Sequence, residues 1–127
     1  MHNHQESMLK SLIAIAWADG RVDAEEEGLV EVLLDSLGAH GADAEALREY
    51  AKTPRTLDDV ELTYLSESDR VLLLNHAVLL SFVDGEQSED ERSVLNQLVQ
   101  KLGLEEEQAS AILASAAERS KKLLAQT

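Results

Sequence analysis

Residues 18–38 and 83–103 carry one pattern twice. Aligned without gaps at an offset of 65, they share six identities in twenty-one positions. These are Asp19/Asp84, Gly20/Gly85, Glu26/Glu91, Leu33/Leu98, Leu37/Leu102 and Gly38/Gly103. Chance would supply about one or two, so the chain reads as an internal duplication. The repeat extends upstream, where Leu9, Ile13 and Trp17 stand opposite Leu74, Val78 and Phe82. A chain built this way is confined to folds with two equivalent halves.

The apolar spacing makes those halves helical. Leu9, Ile13, Ala16 and Trp17 form one face of a first helix, 5–18. Gly20 stops it, and Asp23 with Glu26 has the spacing of a capping box for a second helix reaching Leu37. That helix is expected to bury Leu29, Val32, Leu33 and Leu37, and Gly38 sits where a helix end needs a left-handed residue. Asp43 is expected to cap a third helix burying Leu47, Tyr50 and Ala51, which Pro54 ends.

Residues 54–66 form a connector with room for one short helical turn. Ser66 with Asp69 opens a fourth helix to Val83, in which ten of the thirteen residues 71–83 are apolar. A helix apolar nearly all round needs neighbours on several sides, so helices one and four should cross at the centre, with five and six beside four. Gly85 ends it. Ser88 with Glu91 opens a fifth helix burying Leu95, Leu98, Val99 and Leu102, and Gly103 closes it. The sixth runs from about Glu105 to Leu124, acidic at its start and basic towards its end, as the helix dipole favours. The expected architecture is therefore all-α: a single domain over 1–127, a bundle of about six helices in two pseudo-symmetric three-helix halves. The first repeat covers about 6–53 and the second about 67–125.

Composition narrows function by exclusion. The formal net charge is −14, from 25 acidic and 11 basic residues. Such a surface repels phosphates and anionic lipid heads and attracts cations and basic partners, so nucleic acid is not an expected ligand. There is no cysteine, which removes disulfides, thiolate metal sites and thiol nucleophiles. No signal-peptide pattern opens the chain and no apolar run is long enough to span a bilayer, so a cytoplasmic protein without membrane insertion is expected. No nucleophile and base pattern, nucleophile elbow or phosphate-cradling glycine loop occurs, and no enzyme is expected. His76, on the apolar fourth helix, has no second histidine at i+3 or i+4 and reads as a core or interface residue.

The acidic bends "ADGRVDAEEE" and "VDGEQSEDER" are the candidate site. They are not EF-hands. With Gly20 at the sixth loop position, Ile15 and Trp17 fall where the first two ligands belong, and Leu80 and Phe82 do so in the second copy. Helix punctuation explains Gly20, Asp23 and Glu26, and likewise Gly85, Ser88 and Glu91. It explains Asp19 and Asp84 less well, because a carboxylate in the last turn of a helix opposes the dipole. An Asx-type bond to loop amides or a bound cation would compensate.

An "ADG-x-V-x-x-x-E" bend followed half a chain later by a similar "DG…E" bend resembles the tellurite-resistance protein B (TerB) family and the related N-terminal domain of a membrane-anchored DnaJ-type co-chaperone. The resemblance covers about residues 6–117. It implies an all-helical fold of two pseudo-symmetric halves and a role in tellurite and stress response beside membrane-associated protein partners, with no enzymatic activity. It also implies a divalent cation, Ca²⁺, Mg²⁺ or Mn²⁺, at Asp19, Asp23 and Glu26 and at Asp84 and Glu91. Ser88 replaces the aspartate of the first copy, which weakens the second site. The alternative is a ligand-free helical adaptor for protein–protein interaction. Monomer and homodimer both stay open.

Overall fold

The structure is a computed structural model describing residues 3–18, 22, 24–60, 62, 65–82 and 89–125, with the side chains of 3, 4, 25, 59 and 123–125 left outside the description. Its helices are α1 (Asn3–Ala16), α2 (Ala24–Ser36), α3 (Ala42–Ala51), α4 (Glu67–Ser81), α5 (Glu89–Leu102) and α6 (Glu106–Ala125). A 3₁₀ turn, Leu57–Asp59, lies in the connector. Among the described residues there is no strand. Shifted by 65, α1 falls on 68–81 and α2 on 89–101, each within one residue of α4 and α5. α3 falls on 107–116, inside the longer α6.

Helix α4 is the hub. It packs against α1, α5 and α6 and also meets α2, as its apolar circumference requires. Leu73, Leu74, Ala77 and Leu80 have no exposed surface. A continuous core runs from Met8 on α1 to Ala116 on α6, taking in Leu57, Val60, Leu62 and Leu65 of the connector. With so few aromatics, the interior is almost wholly aliphatic. Two of its buried hydroxyls bond locally, Ser11 Oγ donating to the Ser7 carbonyl at 2.8 Å and Ser81 Oγ to that of Val78 at 2.7 Å.

The helix ends follow from local chemistry. Ser66 and Asp69 form the expected reciprocal box, the Ser66 side chain accepting from the Asp69 N–H at 3.1 Å. Removing that acceptor in Ser66→Ala should cost about 1 kcal/mol in chemical denaturation. Gly38 and Gly103, at equivalent points in the two halves, have φ of 85° and 67°. This left-handed backbone is the reason both copies keep glycine there.

Two expectations are corrected. Val32 is 59% exposed. The inward face of α2 is Glu26, Val30, Leu33 and Leu34, with Leu37 partly buried beyond it, and Val32 lies off that stripe. Asp43 is not the cap of α3. Gly41, at φ 56°, occupies the cap position without a side-chain bond, and Asp43 stands in the first turn. Gly41 supplies the left-handed, non-helical residue from which the helix starts, so the helix begins before Asp43 is reached. Elsewhere α3 and α5 bury their expected faces, Tyr50, Ala51 and Val99 being partly covered, whereas α1 buries its expected residues within a nearly all-round burial from Ser7 to Ala16 broken only by Lys10.

Candidate functional site

Of the five expected cation ligands, Asp19, Asp23 and Asp84 lie outside the described residues, as do Gly20, Gly85 and Ser88. Glu26 and Glu91 are described, and they behave alike. Each is the third residue of its helix, α2 or α5. Each is buried, at 4% and 3% exposure, and each has an interaction partner. The helix N-terminus offers unpaired N–H groups and a positive dipole end, so a carboxylate is electrostatically favoured there. Capping alone does not demand burial. Asp69, which closes the box of α4, remains partly open to solvent. Among the described residues no group of three His, Asp or Glu side chains is placed to hold a metal ion.

A cleft of about 450 Å³ opens between α1, α2 and α3. Its floor includes Ile13, Trp17, Val30 and Leu34, and its rim carries Glu27 and Glu31 from α2 and Arg48 and Lys52 from α3. The Trp17 indole N–H donates to the Ala51 carbonyl at 2.9 Å, tying the end of α1 to the end of α3. Arg48 bridges the helices: its Nε reaches both Glu31 carboxylate oxygens at 3.0 Å and its Nη1 meets Glu45 at 2.9 Å. Glu31 first, through its hydrogen bond, and then Glu45 raise the Arg48 pKa above its ordinary value.

The second half has the same cleft in reduced form. Val78, Arg92, Leu95, Asn96, Leu113 and Ala117 line a space of about 200 Å³. Shifted back by the repeat offset, these are Ile13, Glu27, Val30, Glu31, Arg48 and Lys52, all of which line the larger cleft. The duplication thus reaches the surface, with an acid-to-base exchange at Glu27/Arg92 and loss of both cations contributed by α3.

A third depression, about 340 Å³ between α4 and α6, includes Leu72, Asn75, His76, Arg119 and Ser120. Arg119 Nη2 donates to Asn75 Oδ1 across it. Burial lowers the His76 pKa below its ordinary value of 6.5. The unfolded chain therefore takes up this proton at higher pH than the fold does. Stability should be intact above about pH 6.5 and fall as pH drops from there through the lower folded-state value. His76→Gln should remove that component from a series of denaturation midpoints between about pH 5 and 8.

The bend motif contains Glu26 and Glu91, but no motif in the sequence marks these three clefts. Each cleft is shared between helices, whereas the apolar period belongs to one helix at a time. Compared with known proteins, the chain matches a family described as "Protein of unknown function (DUF533)" over residues 1–116. No curated protein and no solved structure matches it. Among the described residues no helix is long and apolar enough to cross a membrane.

Proposed function

The chain belongs to the DUF533 family, and from that premise we propose that it is a non-catalytic, acidic helical module of the TerB type, working in the cytoplasm through a protein partner and binding a divalent cation weakly at its bends. The observation that supports this reading is the paired burial of Glu26 and Glu91. Burying a carboxylate is costly unless it is compensated, and this chain does so twice at the same repeat position. Both glutamates directly follow bends that carry a further aspartate, Asp19 or Asp84. Hard cations prefer such oxygen donors and complete their shell with carbonyls and water. The same resemblance suggests stress or tellurite response as the setting.

Calorimetric titration of Ca²⁺, Mg²⁺ and Mn²⁺ into metal-stripped protein tests the cation. Dissociation constants on the order of 10⁻⁴–10⁻³ M are expected, the range of weak calcium modules. Mn²⁺ should broaden amide signals at the start of α2 before those at the start of α5, because Asp23 is replaced by Ser88 in the second copy. Absence of both heat and broadening at millimolar cation rejects the site. The ligand-free adaptor would then stand.

A further inference from the structure

We propose that the cleft between α1, α2 and α3 docks a basic amphipathic helix of a partner protein, an aliphatic side chain entering over Trp17 and Val30 while a flanking lysine or arginine meets Glu27. The inference rests on the reading of the chain as a partner-binding module and is independent of the cation. A cleft of about 450 Å³ admits a large side chain, and Ile13, Trp17, Val30 and Leu34 give it an apolar floor. Helix-in-groove recognition needs such a floor for anchors at i, i+3 or i+4 and i+7.

Charge selects the partner. The two rim cations are already neutralised, Arg48 by Glu31 and Glu45, and Lys52 by Glu49 at 3.1 Å. Glu27 is exposed and has no basic partner among the described residues. Glu27, Glu31, Glu45 and Glu49 thus set four carboxylates against these two cations around the cleft, within a chain of net charge −14. A basic segment gains from that excess and an acidic one is repelled.

The second copy argues that this cleft is more than a by-product of the fold. If packing alone demanded it, both halves would keep it alike. Instead the equivalent space is about 200 Å³ against 450 Å³, and Arg92 stands where Glu27 would be. Phe82, which pairs with Trp17 in the repeat, has Lys121 over its ring, 5.4 Å from the centroid. One copy has stayed open and acidic while its twin has narrowed and reversed its charge.

Trp17 is the only tryptophan in the chain, so its emission reports the cleft directly. The probe is a tryptophan-free synthetic helix with leucines at i, i+3, i+4 and i+7 and lysines between them, titrated at physiological salt with EDTA present. The expected result is a saturable shift of Trp17 emission with amide shifts along α2 and α3. A peptide with serine for every leucine, and one with glutamate for every lysine, should leave the emission unmoved. Glu27→Lys should weaken binding about tenfold and Glu27→Gln by less, with the helical circular dichroism of each variant unchanged. An unmoved emission with the lysine–leucine peptide would overturn the proposal. So would an equal response to the lysine–serine peptide, or an affinity indifferent to Glu27→Lys. Because EDTA removes the cation, these outcomes are separable from failure of the cation site.

Discussion

Leu74→Ala should lower stability by about 2–5 kcal/mol, the range for emptying a leucine-sized space that the surroundings cannot refill. Leu74 has no exposed surface and sits on α4, with α1, α2, α5 and α6 all packed against that helix. A cavity there is walled by several helices, so no single one can collapse into it without leaving the others. For a chain of this size the melting temperature should drop by roughly 10 °C or more. Val32→Ala provides the contrast. An apolar residue is truncated again, but from a site 59% exposed. Its cost should stay within about 0.5 kcal/mol, alanine's better helix propensity offsetting what little contact is lost. Thermal melts of the two variants against the parent check both statements. Equal destabilisation would mean that the burial pattern of α2 and α4 is wrong.

Val32 also shows where the orientation of α2 is written in the sequence. Taken alone, α2 offers Leu29, Val30, Val32, Leu33, Leu34 and Leu37, more apolar positions than one stripe can hold. The second copy resolves the choice. Leu29, Val30, Leu33, Leu34 and Leu37 pair with Val94, Leu95, Leu98, Val99 and Leu102, while Val32 pairs with Gln97. Only the position that is polar in the twin turns outward. The repeat, used as a filter on burial as well as evidence of duplication, would have located the face.

Helix ends were legible where a single residue type is obligatory. Gly38 and Gly103 take up the left-handed backbone that no other residue adopts cheaply. The Ser66 and Asp69 box was equally plain, because both halves of a reciprocal bond appear in the sequence. The start of α3 was not, since Gly41 caps it without a side chain and Asp43 imitates a cap two residues late. The acids of the bends were visible as a pattern, but the burial of Glu26 and Glu91 is a tertiary property. It depends on what packs over the first turn of α2 and α5. The open cleft lay beyond sequence reading for the same reason: its rim is shared by Glu27 and Glu31 on one helix and Arg48 and Lys52 on another.

The second large effect concerns the bends. The unfolded chain cannot assemble Asp19, Asp23 and Glu26 into one oxygen cluster, so a cation that binds there must stabilise the fold by linkage. At roughly tenfold excess over a dissociation constant near 10⁻³ M the gain is about 1.4 kcal/mol, enough to move a melting curve by several degrees. Asp19→Asn should abolish most of that rise while leaving the metal-free melt unchanged or slightly higher, since it removes a negative charge that follows the C-terminal end of α1. Glu26→Gln should also lose the cation response with little loss of fold, because glutamine can still accept from the backbone in a capping box. The decisive measurement is the melting temperature of the unaltered protein with and without millimolar Ca²⁺, Mg²⁺ and Mn²⁺. A rise with at least one of them, lost in Asp19→Asn and Glu26→Gln, is what a cation held by the bends predicts. A melting curve unmoved by all three would contradict it and leave the twin acidic bends as helix punctuation alone.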